Sequence, residues 1–248
     1  MIAETVRIGI LNPNTTRSMT ESVVEHAASS ARPGTRLIPL TSRQGSAAIE
    51  SHVDEVEGSL GVLREVERCE RAADRPDGYV LACFGDTGLH GARQAASGPV
   101  VGMTEAALLT AALIAYRFSI VTMPSRTRSM SDRVVRELGL EHRCVVRAVD
   151  EPVSGIVGGA LHLLELFVDQ GRAAIAEDAA EAVILGCAGL SELVGPLQDA
   201  LRIPVIEGVA AAVALTEGLL AQGLSTSRAG SFASSVTEDD RAGSGGVR

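Results

Sequence analysis

Two cysteines lie at equivalent points of a sequence repeat, and thiols are side chains that can move protons. Cys83 lies in the run Tyr-Val-Leu-Ala-Cys-Phe-Gly-Asp-Thr-Gly, and Cys187 lies in the run Ala-Val-Ile-Leu-Gly-Cys-Ala-Gly-Leu-Ser. The repeat continues, because Pro99 follows the first cysteine by 16 residues and Pro204 follows the second by 17. The two cysteines therefore occupy matching places in two related half-chains.

Two thiols on opposite sides of a cleft could invert the configuration at a carbon atom of a bound ligand. One cysteine would remove a proton as a thiolate, and the other would return a proton to the opposite face as a thiol. A cysteine at the start of a helix lies near unpaired amides, which predicts a pKa below about 8.5 for one of the pair. The carbanion needs stabilisation, and backbone amides of the turns after the cysteines could donate to a carbonyl oxygen. Those turns contain Phe84, Gly85, Ala188 and Gly189.

A structural role is the alternative interpretation of each of these residues. A single cysteine after an apolar strand is more often a small buried side chain than a reactive one. Matched positions in a repeat favour function for Cys83 and Cys187. Cys69 and Cys144 lie outside the repeated turns and are interpreted as structural. Asp86 is interpreted mainly as a helix cap or a first-turn acid.

The composition of the 248 residues limits the classes of protein that need to be considered. Hydrophobic content of 46% with 26 glycines and few aromatic residues indicates a compact α/β protein. A net charge of −9 argues against a nucleic-acid partner. All 22 basic residues are arginine, so no lysine can form the Schiff base of pyridoxal phosphate. The five histidines show no metal-ligand spacing.

Targeting signals are not evident in the chain. No apolar run approaches the roughly 20 residues of a membrane span, and the N-terminus lacks a signal-peptide pattern. We therefore expect a cytoplasmic protein whose thiols stay reduced, with no membrane partner.

Short apolar runs alternate with helical patterns, which predicts parallel sheets with right-handed crossovers. The expected strands lie near 6–11, 35–40, 79–83, 100–103, 118–123, 144–149, 182–187 and 204–206. A first helix is expected after the turn at 12–16, and further helices are expected near 50–73, 86–96, 104–116, 131–138, 160–176, 191–201 and 209–222. The fold class is thus α/β with two pseudo-symmetric lobes, each a short, mainly parallel sheet flanked by helices. Ligands bind beyond the carboxyl ends of such strands, so the active site is expected in the cleft between the lobes.

These motifs resemble those of the Asp/Glu/hydantoin racemase superfamily, within it the hydantoin and allantoin racemases. The matching segments are Ile-Leu-Asn-Pro-Asn-Thr-Thr at 10–16, Leu-Ala-Cys-Phe-Gly-Asp-Thr-Gly-Leu at 81–89, Val-Thr at 121–122 and Leu-Gly-Cys-Ala-Gly-Leu at 185–190. The resemblance implies two similar lobes, the first closed by the C-terminal helix, and two-base racemisation without a cofactor. By position, it implies Cys83 and Cys187 as acid and base. It implies substrate contacts at Asn12, Phe84, Thr122, Ala188 and Gly189.

The residues after the cysteines favour one branch of that superfamily. Its amino-acid racemases usually have Asn-Thr after the first cysteine and Thr-Glu after the second, which suit a carboxylate and an ammonium group. Here Phe-Gly-Asp and Ala-Gly-Leu resemble the hydantoin-type sites and suit a neutral ring. One departure is Gly-Ser-Ala-Ala-Ile-Glu at 45–50, where many hydantoin racemases have Gly-Pro-x-Ser-Ile-Glu.

We therefore expect a racemase of 5-substituted hydantoins or allantoin that needs no cofactor. The alternatives are an aspartate or glutamate type of amino-acid racemase, and a non-catalytic protein of the same fold that binds a small ligand. The expected partner is a small-molecule substrate, and the chain is expected to form a homo-oligomer. The first lobe would comprise residues 1–103 plus 207–223, and the second lobe residues 104–206. Residues 224–248 are expected to form a disordered tail, because they lack an apolar period.

Overall fold

A computed structural model describes residues 5–233, in which strands and α-helices alternate along the chain. The first half contains β1 (Val6–Asn12), α1 (Arg17–Ala28), β2 (Thr35–Thr41), α2 (His52–Glu70), β3 (Gly78–Leu81), α3 (Leu89–Ala95), β4 (Val100–Gly102) and α4 (Met103–Ile114). The second half contains β5 (Phe118–Thr122), α5 (Arg128–Glu137), β6 (Cys144–Ala148), α6 (Leu164–Asp178), β7 (Ala182–Gly186), α7 (Val194–Leu201), β8 (Val205–Glu207) and α8 (Gly208–Ala221). Short 3-10 helices cover residues 125–127, 153–156, 161–163 and 188–193.

The strands form two parallel four-stranded sheets of the same topology. The order is β2-β1-β3-β4 in the first sheet and β6-β5-β7-β8 in the second. Strands β3, β5 and β7, at the centres of the two sheets, consist of buried residues only. Strands buried on both faces are typical of parallel sheets covered by helices. The predicted α/β class with two pseudo-symmetric parallel lobes is confirmed.

Two helices cross over between the halves: α4 packs on the second sheet, and α8 packs on the first. Helix α4 follows the first sheet, but its Ala107, Leu108 and Ala111 pack in one apolar cluster with Ile120 of β5 and Ile184 of β7. Helix α8 follows the second sheet and packs against β3 and β4 of the first. This exchange supports the proposed lobe boundaries, residues 1–103 plus 207–223 and residues 104–206.

Helix α3 begins at Leu89, later than the predicted position 86, because Asp86 caps a different helix. Asp86 has a φ of 53°, and its carboxylate accepts hydrogen bonds of 2.9 Å from the amides of Thr104 and Glu105, in the first turn of α4. At the end of β8, Glu207 accepts two amides of the first turn of α8 from its own N-cap position. The predicted structural role of Asp86 therefore has an unexpected target, a helix 18 residues further along the chain.

The chain beyond α8 runs along α3. Arg228 donates to the carbonyl oxygens of Arg93 and Gln94 at 3.1 and 3.0 Å, and Phe232 stacks on His90 with ring centroids 6.0 Å apart. These contacts attach residues 224–233 to the first lobe, and residues 234–248 of the expected disordered tail lie outside the described residues. None of the helices between residues 5 and 233 has the length and apolar character needed to cross a membrane.

Candidate active site

A pocket lies where the carboxyl ends of the central strands of the two sheets meet. Cys83 follows β3 by two residues, Cys187 directly follows β7, and both line this pocket. Four of the expected substrate contacts line the same pocket: Asn12, Phe84, Thr122 and Ala188. The duplicated fold thus brings the two repeated cysteines to one site.

The environment of Cys83 favours the protonated thiol over the thiolate. Its Sγ is 3.6 Å from Thr87 Oγ1 and 3.7 Å from the carbonyl oxygen of Phe84. Burial raises the pKa of the Cys83 thiol to about 12, and the hydrogen bond with Thr87 opposes this rise only in part. Negative charge on Cys187 and on Asp86 contributes to the raised pKa of Cys83. At neutral pH the group is therefore a thiol.

The Cys187 thiol lies at the start of the 3-10 helix of residues 188–193. The amides of Gly189 and Ala188 can donate to its sulfur and lower its pKa, but burial outweighs them and raises the pKa to about 11. A helix terminus contributes roughly 0.3–1 kcal/mol, less than the 1.36 kcal/mol of one pKa unit. Burial can shift a pKa by several units. The prediction that a helix start would lower the pKa of one cysteine is therefore wrong for both.

Gly85 and Gly189 do not line the pocket, contrary to the sequence-based expectation. The Gly85 amide donates to Thr104 Oγ1 at 2.7 Å, so it is not available to a ligand. Gly85 has a φ of 96°, and a Cβ there would lie 2.9 Å from Met130 Cβ of α5. Residue 85 must be glycine because its φ is positive and because the turn after Cys83 packs closely against the second lobe. Gly189 supports the Cys187 sulfur instead, through its amide.

The side chain of Asn12 is engaged within the first lobe. Its Nδ2 donates to Asn14 Oδ1 and to Thr20 Oγ1, both at 2.9 Å, and its Oδ1 accepts the Asn14 amide at 3.1 Å. Asn14 also lines the pocket, and within residues 5–233 its own Nδ2 donates only to the sulfur of Met19, at 3.4 Å. A thioether is a weak acceptor. Asn12 therefore orients Asn14, which has the more available donor of the two.

Thr122 lines the pocket from the end of β5, where it packs closely on β7. Its Oγ1 donates to the carbonyl oxygen of Gly186 at 2.9 Å. A Cβ on residue 186 would lie 2.5 Å from Thr122 Cβ, so the residue before Cys187 must be small. The hydroxyl proton of Thr122 is thus committed, and its oxygen can act only as an acceptor toward a ligand.

Much of the remaining wall was not predicted from the sequence and carries no charge. Met19, Ile49, Met123 and Val153 contribute apolar surface. Thr127 and Ser131 add hydroxyls from the second lobe. No charged side chain of residues 5–233 lines this pocket. A charged ligand would therefore lose hydration without an ionic partner, whereas a neutral ring suits such a wall.

The departure noted at residues 45–50 lies beside this wall. Ile49 lines the pocket, and Glu50 reaches across to the second lobe. Glu50 accepts the amide of Val153 at 2.7 Å and pairs with Arg126. The segment therefore supplies apolar surface at 49 and an interlobe contact at 50.

Further contacts hold the lobes together behind the Cys83 turn. Arg133 of α5 pairs with Glu55 of α2 at 2.6 Å and donates to the Gly85 carbonyl oxygen at 2.8 Å. The pocket between the lobes has a volume of about 40 Å³, room for a few water molecules at roughly 10–15 Å³ each. A larger groove of about 820 Å³ lies on the outer side of the turn, and neither Cys83 nor Cys187 lines it. The free space beside the two thiols is therefore small compared with that groove.

Comparison with known proteins agrees with this geometry. A family model described as Asp/Glu/Hydantoin racemase matches residues 8–216. The chain is 39% identical to a hydantoin racemase from Rhizobium meliloti over 229 residues, 92% of this chain and 94% of that protein. It is 36% identical to a hydantoin racemase from Pseudomonas sp. (strain NS671) over 224 residues, 90% of this chain and 89% of that protein.

A solved structure is similar as well. The structure of an allantoin racemase from Klebsiella pneumoniae aligns with a TM-score of 0.89 at 39% identity, covering 94% of this chain and 95% of that chain. The resemblance to the hydantoin and allantoin branch, first inferred from the cysteine turns, is confirmed. The chain belongs to the Asp/Glu/hydantoin racemase family.

Proposed function

We propose that this racemase acts on 5-substituted hydantoins or allantoin, and that Cys83 and Cys187 are its two acid–base groups. The observation that carries the proposal is the presence of both repeated thiols in the wall of one uncharged pocket. Similarity to proteins named hydantoin racemase and allantoin racemase supports the substrate class. The expected homo-oligomer stays a prediction, which sedimentation velocity of the full chain would test.

The reaction requires one thiolate and one thiol. The thiolate takes the proton from the ring carbon: an S–H bond forms, the C–H bond breaks, and its electrons move onto the adjacent carbonyl oxygen as an enolate. The opposite thiol then gives its proton to the other face, so that its S–H bond breaks and a new C–H bond forms. The two cysteines end with exchanged protonation states and are ready for the reverse direction.

A neutral ring fits this pocket better than a free amino acid. An amino acid would bring a carboxylate and an ammonium group to a wall that has no charged side chain in the described part of the chain. Burying an unpaired charge is costly. The ring also has a carbonyl beside the reacting carbon, which gives the electrons an oxygen to occupy. The amino-acid alternative is therefore not supported by the site.

Hydrogen exchange in D₂O tests the assignment of each cysteine. The wild-type chain should racemise an enantiopure hydantoin and incorporate deuterium at the ring carbon from either enantiomer. Cys83→Ser and Cys187→Ser should each lose racemisation by orders of magnitude. Each variant should still exchange one enantiomer without inverting it, and the two variants should prefer opposite enantiomers, because each keeps a base on one face only.

Cys144→Ala is the matched control, since Cys144 is buried in the core away from the pocket. Its variant should keep the wild-type racemisation rate. Unaltered racemisation in either serine variant would contradict the two-cysteine mechanism. Retained optical rotation of every tested hydantoin and of allantoin in the wild-type reaction would contradict the substrate class.

A further inference from the structure

Ser131 has a buried hydroxyl that lacks a hydrogen-bond partner in the described part of the chain, and it lies in the wall of the pocket that holds the two cysteines. The residue is 1% exposed and lines the pocket from α5. Its Oγ forms no hydrogen bond with any other group between residues 5 and 233. Every fully enclosed polar side-chain atom in those residues has a partner, so the Ser131 oxygen is not fully enclosed. The hydroxyl must therefore face the space of the pocket itself. Buried polar groups are normally paired, so this group calls for an explanation.

The internal repeat shows what is different about this position. Ser131 is the fourth residue of α5, and Thr20 is the fourth residue of α1. The offset of 111 residues that relates them also relates Pro13 to Pro124. Thr20 is buried, and its Oγ1 accepts hydrogen bonds from Asn12 Nδ2 and Thr41 Oγ1. The first lobe therefore satisfies this hydroxyl from within.

The second lobe has lost both partners. Asn12 and Thr41 are paired in register on β1 and β2. The residues paired at the matching ends of β5 and β6 are Thr122 and Ala148. Thr122 donates its proton to the Gly186 carbonyl oxygen instead, and alanine has no polar group. Ser131 thus keeps the hydroxyl that Thr20 has, while the strand-end residues that match Asn12 and Thr41 offer it no hydrogen bond.

We propose that the Ser131 hydroxyl binds substrate and donates a hydrogen bond to the carbonyl oxygen next to the reacting carbon. This inference rests on the proposed function. The other hydroxyls of the wall are committed, since Thr122 donates to Gly186 and Thr127 donates to the Pro124 carbonyl oxygen at 2.9 Å. The carbonyl oxygen gains charge as the enolate forms, so a donor fixed on it binds the transition state more tightly than the substrate. Ser131 therefore stabilises the enolate.

The test compares three variants of the full chain by polarimetry with a hydantoin deuterated or protonated at the ring carbon. Ser131→Ala should lower kcat by about 10- to 100-fold, with a smaller change in KM, because a transition-state donor is lost. Its primary isotope effect should rise as proton abstraction becomes slower than binding. Ser129→Ala, exposed on the same helix, should match the wild type. Ser131→Thr should regain most of the rate, as threonine occupies this position in the first lobe.

The outcomes separate this contact from the proposed function. An active wild type with an equally active Ser131→Ala variant would overturn the Ser131 contact alone. The same conclusion would follow if Ser131→Thr were as slow as Ser131→Ala, or if the alanine variant changed KM and left kcat and the isotope effect unaltered. A wild-type chain that racemises no hydantoin and no allantoin would overturn the proposed function and this contact with it.

Discussion

The two thiols of the pocket should react faster as the pH rises, because burial keeps both protonated near neutrality. The pKa of Cys187 is raised to about 11 and that of Cys83 to about 12. A group with a pKa of 11 is ionised in about one molecule in 10⁴ at pH 7 and about one in 10² at pH 9. Alkylation of Cys187 by a neutral reagent should therefore accelerate about 100-fold over this range.

Iodoacetamide labelling followed by peptide mass spectrometry measures this for each cysteine separately. Cys144, whose pKa burial also raises to about 12, is the internal control for a thiol outside the pocket. Racemisation below saturation should rise with pH in the same way, since it needs one thiolate. An alkylation rate of Cys83 or Cys187 that levels off below pH 8 would refute the reasoning, because it would reveal a thiolate that burial does not suppress.

The same shifts bear on the pH dependence of stability. Both thiols have a folded-state pKa above the usual value, so the folded state holds their protons more tightly than the unfolded chain does. Their contribution to the free energy of unfolding is therefore complete below the usual thiol pKa. It is lost as the pH rises toward the folded-state values.

Two further variants test how the Cys83 turn is held. Asp86→Ala should lower the free energy of unfolding by about 1–2 kcal/mol in urea denaturation, because two amides at the start of α4 lose their acceptor. The loss should be larger at pH 5 than at pH 8, since burial raises the pKa of Asp86 to about 7 and disfavours its ionised form in the folded state. Arg133→Gln should lower kcat and speed alkylation of Cys83, because the interlobe contacts with Glu55 and the Gly85 carbonyl weaken. Exposed Arg136→Gln, one helical turn away, should change neither, and equal effects of both variants would contradict a specific role of Arg133.

The sequence was sufficient to predict the order of elements and the meeting of the two cysteines. Alternation of buried strands and helices has a clear period, and a repeat implies that equivalent residues occupy equivalent places. Properties that depend on the sum of several contacts could not be predicted. The amide of Gly85 lies in an expected donor turn, yet Thr104, distant in sequence, takes its hydrogen bond. Asp86 resembles a cap for the helix that follows it, but its positive φ directs the carboxylate to α4.

The sign of the thiol pKa shifts is a second example of this limit. A helix start after Cys187 is visible in the sequence, and its amides do oppose the rise of the Cys187 pKa without reversing it. The degree of burial in the pocket is not visible, because the residues that enclose the sulfur come from both lobes. Burial, which has the larger effect on the thiol pKa values, therefore could not be predicted from the sequence. Ser131 was missed for a related reason, since the signal was the absence of two partners at other positions.

Racemisation imposes two requirements on a site that pull in different directions. Proton transfer must be equivalent on the two faces of the carbon, because the enzyme works in both directions. The ring itself must be held in one orientation, or the carbon would not stay between the two bases. In the proposed two-cysteine mechanism, duplication of one lobe meets the first requirement, because a cysteine follows both β3 and β7.

Divergence between the lobes can meet the second requirement. In the first lobe, Asn12 and Thr41 satisfy the hydroxyl of Thr20. In the second lobe, the matching hydroxyl of Ser131 lines the pocket and is the donor that we propose for the ligand. Restoring the symmetry should therefore impair the enzyme: Thr122→Asn would offer Ser131 the partner that Thr20 has. We expect this variant to lower kcat without removing either thiol. A variant that keeps both the wild-type kcat and its isotope effect would show that the asymmetry has no part in catalysis.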